Sequence, residues 1–226
     1  MKPCQNSLST LFLFLIITIT VVTSNLTHFT VDISVSCGST ETSVSSGERE
    51  WLGETQPIFS SLLQLKGLSM TSTVIHEFTS ADPVPHETAL LSRSQFSYLF
   101  QVSPSQKIIR LHFNPASYRG FEGQVDLFTV EAGPFTLLSN FSASLTAEAL
   151  GVDTFVKEFW LNIQENQQLI ISFTPRSSQT LDTYAFINGI EILGSNGVFP
   201  SPNPLPPPQD SLSETINSYN ILIKYH

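Results

Sequence analysis

Four groups of residues in this 226-residue chain have types and spacings that bear on chemistry. The first is Tyr118, Phe121 and Glu122, in a loop segment punctuated by Gly120 and Gly123. Aromatic faces beside a carboxylate are the chemistry of a sugar site, and loops between strands are where binding residues concentrate. These three are the candidate ligand-binding residues; the same aromatics can instead cap a sandwich core. The second is the carboxylate group Glu122, Asp126 and Glu131. A glycosidase needs two carboxyls facing one another across about 5–10 Å. Alternation here makes Asp126 a solvent-facing charge on a half-buried strand instead. The third is His76, His86 and His112, two of them followed by Glu. Neighbours on an extended chain point to opposite faces, and zinc needs three or four convergent ligands, so no metal site is expected. The fourth is Gly67-Leu-Ser-Met-Thr71, which lacks the closing glycine of a nucleophile elbow. A kinase is excluded within this chain, which has no Gly-rich phosphate loop, no His-Arg-Asp and no Asp-Phe-Gly. No catalytic residue and no cofactor is expected.

The elements that would position these groups read as strands. Ile108 to Phe113, Val125 to Val130 and Phe135 to Phe141 alternate apolar and polar residues. Asn114-Pro115, Gly120, Gly123 and Gly133-Pro134 supply turns between them. Such alternation bounded by turn residues marks half-buried strands. Further strands are expected at Val31–Cys37, Val74–Phe78, Thr88–Arg93, Phe96–Val102, Val156–Ile163, Leu169–Phe173 and Tyr184–Leu193. Asn188-Gly189 interrupts the last with a bulge or tight turn. Residues 56–70 show no clear period and read as loop. Glu165-Asn-Gln-Gln reads as a hairpin loop, and Ser144–Leu150 as at most one helical turn. About ten short strands without long amphipathic helices give an all-β antiparallel sandwich. Seventeen Phe, 41% apolar and 13% charged residues fit a folded β-rich domain. A formal charge of −9 disfavours nucleic acid as a partner.

The ends of the chain differ from its middle. Leu11 to Val22 is an apolar run of a dozen residues after a Lys-bearing start, and Thr23-Ser24 follows. This predicts a secretory signal peptide over residues 1–24, too short for a membrane span of roughly 20 residues. Cys4 then leaves with the signal, and Cys37 has no intrachain partner. It is expected to serve as a buried small apolar residue, with an intermolecular disulfide as the other reading. Asn25-Leu-Thr and Asn140-Phe-Ser are acceptor sequons, so Asn25 and Asn140 are candidate glycosylation sites. Residues 25–194 form the expected domain. Residues 195–226 begin with six prolines in Pro200–Pro208 and carry one weak apolar patch without a partner. That composition predicts a Pro-rich, disordered tail.

Several segments carry a family resemblance in order along the chain. "REWLGE", "TALLSR", "RLHFNP", "LFTVEAGPFTLLSNFSAS", "KEFWLNI", "ISFTP" and "YAFINGIEI" resemble the malectin-like extracellular domain of plant receptor-like kinases of the FERONIA type. The resemblance covers about Val31 to Leu193 and implies a malectin-like jelly-roll β-sandwich, the first of a tandem pair. It implies recognition of secreted, basic RALF peptides together with a GPI-anchored co-receptor, and a link to cell-wall oligosaccharide. Animal malectin binds a glucose disaccharide through loop aromatics, but fold alone does not carry that function over. Family members continue into a second domain, a membrane span and a kinase. This chain departs from that pattern after Gly194, so membrane contact is expected only through a missing C-terminal span. The expected role is extracellular recognition, either as the sensing end of a truncated receptor kinase or as a soluble decoy.

Overall fold

Alternating burial builds this domain, and the strand Ser105–Phe113 shows it most clearly. Lys107, Ile109, Leu111 and Phe113 turn inward, while Ile108 and Arg110 are only half-buried. The computed structural model describes residues 32–54, 63–65, 69–73, 83–164, 168–178, 182–194 and 223–225, all within the unit Asp32–His226. In chain order the strands begin with β1 (Ile33–Ser36), β2 (Ser43–Val44), β3 (Glu50–Gly53), β4 (Leu63–Leu65), β5 (Ser69–Thr73) and β6 (Thr88–Ser92). There follow β7 (Phe96–Phe100), β8 (Ser105–Phe113), β9 (Val125–Asp126), β10 (Phe128–Ala132) and β11 (Phe135–Phe141). A helix, α1 (Ala143–Leu150), precedes β12 (Phe155–Ile163), β13 (Leu169–Pro175), β14 (Thr183–Ile187), β15 (Gly189–Gly194) and β16 (Ile223–Tyr225).

Three sheets result. One has seven strands in the order β16-β12-β8-β15-β1-β3-β2. A second has five, β11-β10-β13-β7-β4, and a third four, β5-β6-β14-β9. Pairing is antiparallel except between β1 and β3 and between β14 and β9. The all-β antiparallel class read from the sequence is the one found. The sheets share one aromatic core. Phe113 of β8 lies 6.2 Å from Phe128 of β10 and 5.8 Å from Phe186 of β14, so a single ring touches both other sheets. Phe96 stacks on Phe173 at 4.9 Å. A buried Phe contributes about 1.5–3 kcal/mol, so this cluster stands in for the disulfides the domain lacks. Cys37 is free and wholly buried, as its reading as a small apolar residue anticipated.

Several local expectations need correction. Residues 56–70 were expected to be loop, yet β4 and the start of β5 lie there, as edge strands of three and five residues, too short for a period to stand out. The expected strand at Val74–Phe78 lies outside the described residues. Val125–Val130 is not continuous: β9 and β10 belong to different sheets, with Leu127 between them. Tyr184–Leu193 likewise divides at Asn188 into β14 and β15, again in different sheets. The connection through residues 165–167 is no hairpin, because it joins β12 of one sheet to β13 of another. In the tail, the weak apolar patch does have a partner: β16 pairs antiparallel with β12, Lys157 opposite Tyr225.

The helix is longer than the single turn expected, and its caps explain why. Ser142 is the N-cap, its Oγ accepting from the Leu145 N–H at 3.2 Å. The Asp126 carboxylate accepts from Ser142 Oγ at 3.0 Å and from the Ser144 N–H at 2.8 Å. Gly151 ends the helix in the left-handed region, φ 66°, and the Val152 N–H returns to the Ala147 carbonyl at 3.1 Å. Each satisfied terminal group removes a fraying cost of about 1 kcal/mol. Ala143 and Ala147, one turn apart, seat the helix on the core.

Candidate functional site

The loop from Asn114 to Gln124 holds the nominated binding residues, and the structure turns two of them inward. Tyr118 is 2% exposed and Phe121 4%, so neither ring offers a face to a sugar. Glu122 is exposed, and its carboxylate accepts the Gly120 N–H at 2.8 Å, closing the turn on itself. The ring of Phe121 sits 5.0 Å from Tyr184, and the Arg93 guanidinium covers its other side at 4.6 Å. Arg93 also donates to the Gly120 carbonyl at 2.6 Å and to Gln124 Oε1 at 3.0 Å. The three residues are thus adjacent, but as the cap of a core.

What the loop encloses is a polar hub at Asn188, wholly buried at the point where the chain leaves β14 for β15. Asn188 Oδ1 accepts the Asn114 N–H at 2.7 Å. Its Nδ2 donates to the Thr88 carbonyl and to Tyr118 Oη, each at 2.8 Å. Tyr118 Oη donates in turn to the Asn114 carbonyl at 2.6 Å, and Asn114 Nδ2 to the His86 carbonyl at 3.0 Å. Burial pushes the Tyr118 hydroxyl well above its ordinary pKa, against the pull of Asn188, so it stays a proton donor at any physiological pH. Gly189 follows because nothing larger fits: a Cβ there would lie 2.5 Å from Pro85 Cγ and 2.9 Å from Trp51 Cζ3.

The carboxylates nominated as a glycosidase pair do not form one. Asp126 was expected to face solvent; it is 3% exposed and is spent on the helix N-terminus. Its strand is a two-residue bridge beside α1, a context invisible in alternation alone. Glu131 is exposed on β10. His86 and His112 do come together, with ring centroids 5.6 Å apart, though far apart in sequence. No metal-binding group of three His, Cys, Asp or Glu residues exists among the described residues. His76 and Asn25 lie outside them. Asn140 is exposed at φ 47°, where β11 bulges against β10.

Two further clusters were not singled out in the sequence. Across the outer face of the seven-stranded sheet runs an alternating charge ladder. Arg49 meets Glu191 at 2.6 Å, Glu191 meets Arg110 at 3.4 Å, and Arg110 meets Glu158 at 2.8 Å. Burial raises the Glu191 carboxyl, but His112, Arg49 and Arg110 outweigh it and hold the group below the usual carboxylate range. The hint lay in "IIRLHF", "KEFW" and "GIEI", where apolar strands each place a charge on their outward phase. Inside, the Tyr98 hydroxyl donates to the Glu54 carboxylate beside Cys37. Glu54 also joins β3 to the other sheet, since Tyr98 belongs to β7. Burial pushes its carboxyl up, with Tyr98 and the Gly38 backbone opposing.

Sheets closed around an aromatic core, with a loop folded over it as a cap, define a β-sandwich module. No family model matches the sequence. The chain is 38% identical over 173 residues to the receptor-like protein kinase FERONIA of Arabidopsis thaliana, covering 76% of this chain and 19% of that protein. It is 35% identical over 164 residues to the receptor-like protein kinase ANXUR1 of the same plant, covering 72% and 18%. The crystal structure of the receptor-like kinase FER superimposes with a TM-score of 0.65 at 38% identity, over 73% of this chain and 42% of that one. FER in complex with the peptide RALF23 and with LLG2 superimposes at 0.62 and 37% identity. The chain is a homologue of the malectin-like ectodomains of the FERONIA and ANXUR receptor kinases. It spans about a fifth of the length of these kinases and about two fifths of the solved ectodomains, and the match includes no kinase domain. No helix among the described residues is long and apolar enough to cross a membrane.

Proposed function

We propose that this chain is an extracellular recognition module that binds a secreted peptide together with a small co-receptor in growth or cell-wall signalling. One observation carries the reading: a homologous ectodomain, 37% identical, has been seen in complex with RALF23 and LLG2. Secretion would follow removal of residues 1–24, with Asn140 as an exposed acceptor for a glycan. An acidic chain suits a basic ligand through steering and rim contacts. Peptide is favoured over cell-wall carbohydrate because the nominated sugar-stacking rings, Tyr118 and Phe121, are buried. The test is titration of the purified secreted chain with RALF23, alone and with LLG2, beside an acidic oligogalacturonide. Saturable peptide binding strengthened by LLG2 is expected; binding of the oligosaccharide alone would replace this reading. Sequencing the transcript through its 3′ end separates the sensing end of a kinase from a free decoy.

A further inference from the structure

We infer that the outward side of α1 and its C-terminal turn form the docking surface for a basic amphipathic peptide, one that sets aliphatic side chains between Lys or Arg. This rests on the peptide-recognition reading and assigns it a place on the molecule.

The exposed large apolar residues among the described part of the chain are five, and three of them fall within eight positions. Leu145 is 65% exposed, Leu150 50% and Val152 42%. Scattered exposed aliphatics need no account, but a local group on one element does. Leu145 and the exposed Ala149 lie one turn apart on one side of the helix. Leu150 and Val152 flank the Gly151 cap and add two exposed aliphatic side chains at the helix end. The core does not need these side chains, because Ala143 and Ala147 already seat the helix.

Charge chooses the occupant. Glu148 and Asp153 stand exposed within this apolar group, and the last turn of the helix carries no basic residue. A second copy of the chain would bring the same carboxylates together, which disfavours self-association. An acidic partner meets the same objection. A partner with aliphatic side chains and flanking cations satisfies both features, as in helix-face peptide recognition. The platform is also rigid before binding. Ser142 and Asp126 fix one end of the helix and Gly151 the other, so little ordering cost remains.

The experiment compares the wild-type chain with the double variant Leu145→Ser/Val152→Ser and the single variant Glu148→Lys. Binding of RALF23 in the presence of LLG2 is measured at two salt concentrations, with thermal melts of each protein. The double variant is expected to bind at least tenfold more weakly while melting within a few degrees of wild type. Glu148→Lys is expected to weaken binding several-fold at low salt and less at high salt. If wild type binds and both variants bind within twofold of it, the helix is not the site, while the peptide reading stands. If wild type binds no peptide, both readings fall. If sedimentation shows a wild-type dimer that the double variant abolishes, the surface belongs to a second copy and the inference is overturned.

Discussion

The loop Asn114–Gln124 and the helix Ala143–Leu150 exchange the roles that their sequences suggest. The loop has glycines, aromatics and a carboxylate, the usual vocabulary of a binding site, and it is folded into the core. The helix reads as a short Ala/Ser/Leu connection, and it carries the most exposed leucine of the described chain. The difference lies in what stands behind each. Behind the loop is the wholly buried side-chain amide of Asn188 at the β14–β15 crossing, which must find its partners in the interior. Tyr118 reaches in as one of them, and Phe121 follows to seal it. Behind the helix is a surface already filled by two alanines, which leaves its larger side chains nowhere to go but out.

Breaking the hub should give the largest effect. Asn188→Ala strips partners from the Asn114 N–H, the Thr88 carbonyl and Tyr118 Oη, all in the interior. An orphaned buried polar group costs about 1–3 kcal/mol, so a loss of about 3–5 kcal/mol is expected by urea titration. A loss under about 1 kcal/mol would mean that water replaces the side chain and the crossing is looser than its geometry.

The direct contrast is Phe121→Ala against Leu145→Ser. Phe121 is packed between Tyr184 and Arg93, and its truncation should cost about 2–4 kcal/mol. Leu145 is two-thirds exposed, and its replacement should change stability by no more than about 0.5 kcal/mol. Equal losses in chemical denaturation would erase the distinction between buried cap and free surface. Asp126→Ala comes next. It removes acceptors from Ser142 Oγ and the Ser144 N–H, for an expected cost of about 1–2 kcal/mol. Amide exchange should speed up in the first turn of α1 more than in β10; uniform acceleration would deny Asp126 a local capping role.

Most of the fold was legible because alternation reports a half-buried strand directly. β1, β6, β7, β8, β11, β12 and β13 lie close to their expected spans. The misses have two causes. Leu127, Asn188 and the 165–167 connection are places where the chain changes sheet, and period-two patterning is the same on either side of such a change. β4, β5 and β16 are edge elements of three to five residues, too short for alternation to stand out from the segments around them. For the site, residue type named the loop but could not give the direction of its rings. Asn188-Gly189 was visible as a break, yet its partners, from Thr88 to Tyr118, are set by tertiary contacts far along the chain.

The most gradual effect expected is a change of slope with pH, and it contrasts two carboxyls of opposite sign. Glu191, in the charge ladder, titrates below its ordinary range, so its contribution is present above the unfolded pKa and lost as pH falls through the folded one. Glu54, tied to Tyr98, titrates above its ordinary range. Its contribution is present below the unfolded pKa, about 4.3, and is lost as pH rises through the folded value. Stability should therefore decline as pH rises above about 4.3, from this one group by at most about 1.4 kcal/mol per pH unit. Glu54→Gln keeps an acceptor for the Tyr98 hydroxyl and removes the ionisation. Its unfolding free energy, measured by urea at intervals from pH 4 to 7, should lose that decline while matching wild type at the acid end. An unchanged slope would show that burial does not hold the Glu54 carboxyl above its ordinary range in the folded chain.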